Sequence, residues 1–174
     1  MMPISYTAKK RRKAFIMWNK IKPFVVSIAI SLGVGTLAGF LTRNSMSLYD
    51  EIVQPPLAPP SILFPIVWTI LYILMGISAA LIYTNEEASP KDKEKALTVY
   101  AASLIVNFFW SILFFNFRAF FISFLWLLLL LVLVIYTILL YHKINKVAAY
   151  LQIPYAVWVG FAGYLNLAIW ILNR

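Results

Sequence analysis

The 174-residue chain is 63% hydrophobic and only 12% charged, with a net charge of +9 and a mean hydropathy of +0.84. A water-soluble domain carries about 25% charged residues, so this composition excludes a chain solvated by water on all sides, and lipid must surround most of it. The absence of Cys excludes disulfides, thiolate metal sites and a cysteine nucleophile.

Taken in chain order, residues 1–22 form a basic juxtamembrane segment with Lys9, Lys10, Arg11, Arg12, Lys13, Lys20 and Lys22, and with Phe15 and Trp18 interleaved. Such a stretch suits either anionic lipid or nucleic acid; a positive-inside anchor lying on the headgroups is the favoured reading, with no nucleic-acid partner. Five apolar runs follow, at about 23–42, 62–83, 97–117, 120–141 and 147–172. Each has the roughly 20 residues that a helix needs to cross about 30 Å of hydrocarbon. Backbone facing lipid must satisfy its own N–H and C=O groups, so each run is expected to be helical. The expected fold class is all-α, a polytopic membrane protein with residues 23–174 forming one bundle of five transmembrane helices. The first run exceeds the length of a secretory signal and no A-x-A site follows, so a retained span is expected.

The connections differ in character. Residues 43–61 contain Pro55-Pro56-Leu57-Ala58-Pro59-Pro60, expected to be extended polyproline-like chain suited to a lid. Ser89-Pro90 predicts a helix start. The short links around Arg118 and at 142–146 require the third, fourth and fifth spans to be antiparallel neighbours. Twelve bases fall on the N-terminal side of the membrane and three, Arg43, Arg118 and Arg174, on the other. That asymmetry predicts a cytoplasmic N terminus, with the proline loop and C terminus outside.

Three polar-aromatic faces stand out. In the second span, Pro65 sits in the first turn, where its missing N–H costs nothing, and Trp68 and Tyr72 share a face four residues apart. An aromatic belt at the headgroups explains Tyr49 and Trp170 better than Trp68, which lies about two turns inside. In the third span Tyr100, Ser103, Asn107, Trp110, Ser111 and Phe114 recur at three- and four-residue steps. Asn107 must point into the bundle, either as glue between helices or as the polar anchor of a cavity. In the fifth, Tyr155, Trp158, Ala162 and Asn166 share a face: large rings, a small residue and an amide, as a pocket for a flat apolar ligand requires, with plain helix packing as the alternative. Gly160 and Gly163 are expected to permit close packing elsewhere on that helix. Gly35-Thr36-Leu37-Ala38-Gly39 is a G-x-x-x-G pattern that allows close approach within the subunit or across a dimer.

Catalytic arrangements are thin. No acid lies inside a span, His142 is the single histidine and borders a membrane edge, and neither a phosphate loop nor a metal-ligand cluster is present. No catalytic residue, no metal site and no required cofactor is expected.

The same residues resemble the TspO/MBR (translocator protein) family. The family pattern K-P-x-W-x-P-P reads Gln54-Pro55-Pro56-Leu57-Ala58-Pro59-Pro60 here, and P-x-W-x-x-L-Y-x-x-M-G reads from Pro65 through Trp68, Leu71 and Tyr72 to Met75-Gly76. The pattern L-N-F-x-W-S-x-L-F-F is similar to Val106–Phe115, with Arg118 at the family's loop arginine. P-Y-x-x-W-x-x-F-A-x-x-L-N-x-x-I-W-x-L-N matches Pro154, Tyr155, Trp158, Phe161, Ala162, Leu165, Asn166, Ile169, Trp170 and Asn173. The resemblance implies a five-helix bundle, usually a homodimer, and a receptor- or sensor-like role. It implies a cavity open toward one leaflet, lined by Trp68, Tyr72, Asn107, Trp110, Tyr155, Trp158 and Ala162. The loop of Pro55, Pro56, Leu57, Pro59 and Pro60 would be its lid. The ligands implied are porphyrins such as protoporphyrin IX and haem, with sterols and synthetic drugs bound by some members, and the role implied is regulation of tetrapyrrole metabolism or stress.

Departures bear on the alternatives. Leu57 replaces the loop tryptophan associated with light-driven porphyrin breakdown, which argues against that enzymatic reading, although its partner Trp158 is present. Trp126 stands where many members have an acid, and residues 167–171 lack the Tyr of the animal sterol motif. Transport of a small hydrophobic molecule ranks last, since no repeat and no intramembrane charge supply alternating access. Twelve bases on one face and no mitochondrial targeting pattern point to a bacterial plasma membrane.

Overall fold

The computed structural model describes residues 4–45 and 47–174, with side-chain packing from residue 17 onward. Five helices are long and apolar enough to cross a membrane, and no strand occurs among the described residues. Helix α1 runs Ile4–Thr42, a short α2 spans Leu48–Glu51, and α3 Leu63–Tyr83, α4 Pro90–Ser111, α5 Phe120–Ile144 and α6 Lys146–Leu172 complete the chain. The expected spans fall on α1, α3, α4, α5 and α6 in order.

Three boundaries differ from expectation. The basic segment is not a separate element, because α1 continues without a break from the first span through Pro23 to Ile4. Its 39 residues at 1.5 Å each reach about 58 Å, nearly twice the hydrocarbon thickness. The headgroup reading of Lys9–Lys13 and Phe15 concerns side chains outside the described residues. The second difference lies at the end of α4, where residues Ile112–Asn116 widen into a π-helical turn. There the Phe117 N–H donates to the Ile112 carbonyl at 3.2 Å, and Arg118 takes a positive φ of 52° to redirect the chain into α5.

The third is the proline loop, which is not uniformly extended. The Ala58 N–H donates to the Pro55 carbonyl at 3.2 Å, closing a turn with Pro56 and Leu57 at its centre. Pro56 presets its own φ near the turn value, and the following position takes φ of 66°, as the second central residue of a type II turn must. That position favours Gly or Asn; here it is a leucine, 80% exposed.

The remaining ends follow local chemistry. Ser89 caps α4 by accepting from the Asp92 N–H at 3.1 Å, with Pro90 in the first turn, an arrangement worth about 1 kcal/mol. Asn145 alone separates α5 from α6 and caps α6 through the Ala148 N–H at 3.0 Å. In the bundle α5 packs most extensively on α6, then α1 on α3, α4 on α5 and α3 on α6, with α1 against α4 the slightest of these seams. The helices therefore form a ring in the order α1, α3, α6, α5, α4.

Small residues set the α1–α3 spacing. A Cβ on Gly35 would fall inside the Tyr72 ring, and one on Gly76 would lie 2.5 Å from the Ile28 Cα. Gly35 thus serves an approach within the subunit. At Gly39, the other end of that pattern, a Cβ would meet nothing within 4 Å, and the same holds at Gly160 and Gly163. The expected close packing at those two α6 glycines is not found.

Candidate functional site

At the end of the bundle nearest the proline loop, α1, α3 and α4 enclose a cavity of about 380 Å³. Helix α1 contributes Leu32, Gly35, Thr36, Ala38, Gly39 and Thr42. Helix α3 contributes Phe64, Pro65, Trp68, Thr69 and Tyr72, and the α4 end supplies Trp110, Ser111 and Phe115. Thr36 and Gly39 on α1 and Pro65 and Thr69 on α3 are exposed, so the cavity opens sideways between these two helices, toward the space lipid occupies. Gly39 keeps this mouth wide because it carries no side chain.

The inner wall is aromatic and held by hydrogen bonds between helices. Trp68 stacks on Tyr72 with centroids 5.5 Å apart and planes 29° from parallel, and meets Trp110 at 6.3 Å. The Asn107 Nδ2 donates to the buried Tyr72 hydroxyl at 2.8 Å, joining α4 to α3. The Trp110 Nε1 donates to Asn166 Oδ1 at 3.2 Å, and Asn166 Nδ2 in turn donates to the Phe120 carbonyl at 2.7 Å. Tyr72 and Trp110 are each fixed by an amide from a neighbouring helix, and rings fixed in advance lose little rotamer freedom when a ligand binds. Asn107 is interhelical glue through its nitrogen, while its Oδ1 is buried with no partner among the described residues.

Of the residues expected to line one cavity, Trp68, Tyr72 and Trp110 do so. Asn107 stands behind Tyr72, and Tyr155, fully buried, meets Trp68 edge-on at 6.1 Å from the next layer. Ala162 borders a separate void of only about 20 Å³, shared with Tyr49, Trp110 and Asn166. Trp158 does not reach the larger cavity; it packs on Phe64 at 5.9 Å and Phe161 at 5.7 Å. The residues sequence reasoning missed are those of α1, and the signal for them was the same G-x-x-x-G, read there as packing alone.

The proline loop lies beside the cavity rather than in its wall, since residues 55–60 are absent from the lining. It is fastened to α6: Val53 N–H donates to Asn173 Oδ1 at 2.8 Å, Asn173 Nδ2 returns a bond to the Val53 carbonyl at 3.0 Å, and the Tyr164 hydroxyl donates to the Pro56 carbonyl at 2.9 Å. The Tyr49 hydroxyl donates to the Pro59 carbonyl at 3.1 Å. Burial raises the Tyr49 phenol above its ordinary value of 10.0, with the Asp50 charge adding to the shift. Arg118 and Glu51 meet at 3.8 Å on the exposed rim, a pair worth little. Trp126, at the position of the expected acid, donates its Nε1 to the Val106 carbonyl at 2.7 Å, beside Asn107.

Five helices long and apolar enough to cross a membrane, with a lateral, aromatic-walled cavity among them, define the class of an integral membrane protein. Its relatives narrow that class. The chain belongs to the TspO/MBR family, whose model matches residues 27–171. It is 32% identical over 158 residues to the tryptophan-rich protein TspO of Chlorobaculum tepidum, covering 90% of this chain and 99% of that one. It is 31% identical over 157 residues to the translocator protein of Bos taurus, covering 87% and 92%, and 36% identical over 129 residues to the protein CrtK of Rhodobacter capsulatus, covering 72% and 78%.

Proposed function

We propose that this protein is a membrane receptor for flat, hydrophobic, porphyrin-like ligands such as protoporphyrin IX or haem, which reach it from the bilayer. The observation carrying this reading is the cavity walled by Trp68, Tyr72 and Trp110 and open between α1 and α3. Its volume of about 380 Å³ lies in the range of small-molecule sites, roughly 300–1,000 Å³. The near-parallel Trp68 and Tyr72 rings offer a flat surface for a planar guest. Arg43 directly follows Thr42 of the lining, and its guanidinium, 4.1 Å over the Phe40 ring, suits a ligand carboxylate at the mouth.

The ligand acts here as cargo or signal, and no metal or resident cofactor enters the reading. Leu57 carries no ring and is exposed, so photodegradation of the guest has no donor at that position. Titrating the purified protein with protoporphyrin IX while following tryptophan emission tests the proposal. Saturable quenching at micromolar ligand, reduced in Trp68→Phe, supports it; linear, non-saturating quenching defeats it. A bacterial plasma membrane, a cytoplasmic N terminus and a homodimer form the setting proposed with it, the first two from the charge asymmetry and the third from the family resemblance.

A further inference from the structure

A second cleft lies at the opposite end of the bundle. It is about 520 Å³ in volume and is formed where α1 passes the C-terminal end of α3 and the start of α4. Lys20 on α1 and Lys93 on α4 both face it. The first cavity is far away: Lys20 and Gly39 are 19 residues apart on α1, about 28 Å along the helix. We propose that this cleft binds the phosphate headgroup of an anionic phospholipid.

The cleft holds one cation already in place. Lys93 is half-buried and its Nζ donates to the Asn85 carbonyl at 2.9 Å, leaving two of its three N–H donors for an anion. Asn85 is itself fixed on three sides. Its Oδ1 accepts from the Glu87 N–H at 3.0 Å and the Ala88 N–H at 2.8 Å, and its Nδ2 donates to the Ile144 carbonyl at 3.3 Å. The ammonium of Lys93 is thus positioned by the α3–α4 connection and tied through it to α5. Lys20 is exposed and makes no hydrogen bond or ion pair among the described residues, so it is available to close on the same anion.

The remaining walls say what kind of anion fits. Phe24 and the exposed Tyr83 lie at the membrane ends of α1 and α3, where apolar rings meet acyl chains. A ligand that touches both these rings and the two ammonium groups must be an amphiphile carrying negative charge at its polar end. Glu86 also borders the cleft. By formal charge it offsets one of the two lysines, which leaves a single positive charge to match the single negative charge of a phosphodiester. Basic pockets between transmembrane helices bind anionic lipid headgroups in this way.

Native mass spectrometry of the full chain, released from micelles doped equally with phosphatidylglycerol and phosphatidylcholine, tests the assignment. The wild type is expected to retain phosphatidylglycerol at least fivefold over phosphatidylcholine. Lys20→Gln, which breaks no internal bond, should cut that preference threefold or more, and Lys93→Gln should do the same. Lys143→Gln/Lys146→Gln, which removes two charges on the same side of the membrane but outside the cleft, should leave it unchanged. Equal retention of both lipids by the wild type overturns the proposal, as does an equal loss in the Lys143/Lys146 control. Displacement of phosphatidylglycerol by millimolar inorganic phosphate would overturn it in favour of a site for a free anion.

Discussion

Leu57 is where the backbone conflicts most openly with the residue that occupies it. A left-handed conformation costs an L-residue about 1–2 kcal/mol, and Asn tolerates it better than a leucine does. Leu57, at φ of 66° and largely exposed, makes no burial in compensation. Leu57→Asn is therefore expected to raise the midpoint of thermal unfolding in detergent by an amount equivalent to up to about 1 kcal/mol, whereas Leu57→Pro, which fixes φ near −65°, should lower it. Tyr49 gives a pH-dependent counterpart in the same loop. Its phenol is raised in the folded state, so the stability it contributes is complete below pH 10.0 and is lost as pH rises through the higher folded value. Hydrogen–deuterium exchange of residues 53–60, corrected for the intrinsic pH dependence, should accelerate across that alkaline window in the wild type. In Tyr49→Phe, which lacks the bond to the Pro59 carbonyl, the loop should already exchange faster at neutral pH and show no such step.

Among the elements, α1 divides into a part that packs and a part that leaves space. Gly35→Ala places a methyl in the Tyr72 ring and should destabilise the protein by about 1–3 kcal/mol through overpacking. Gly39→Ala, four residues on, meets nothing within 4 Å and should be near neutral in the same unfolding measurement. A spacing motif is readable from sequence, but which glycine meets a partner depends on how two helices cross. For this reason Gly35 and Gly39 look alike in the sequence and differ in the fold. The helices themselves are legible because lipid leaves the backbone so few choices: length and hydropathy locate all five spans, and Ser89-Pro90 locates a helix start to the residue. Periodicity also puts Trp68 with Tyr72 and Asn107 with Trp110. It has no means of ranking depth across helices, so Trp158, on the same α6 face as Tyr155, is grouped with a cavity it does not reach. The π-turn at Ile112–Asn116 and the turn at Leu57 depend on backbone hydrogen bonding that residue types alone do not announce.

For the molecule as a whole, the ring of five helices sets an aromatic cavity at one end and a basic cleft at the other, both bordered by α1 and α3. The contact proposed between Arg43 and a ligand carboxylate can be tested at the first site. Arg43→Gln should weaken protoporphyrin IX severalfold and leave a porphyrin without carboxylates nearly unaffected, as measured by parallel titrations. The proposed ligand site is the space between α1, α3 and α4, and the most direct test is to fill that space and leave the rest of the fold alone. Paired protoporphyrin IX titrations of Gly39→Phe and Trp158→Ala, each checked for an unchanged helical content, separate the two regions. Gly39→Phe is expected to abolish saturable binding, and Trp158→Ala to retain affinity within a few fold. Full binding by Gly39→Phe together with its loss in Trp158→Ala would contradict that placement.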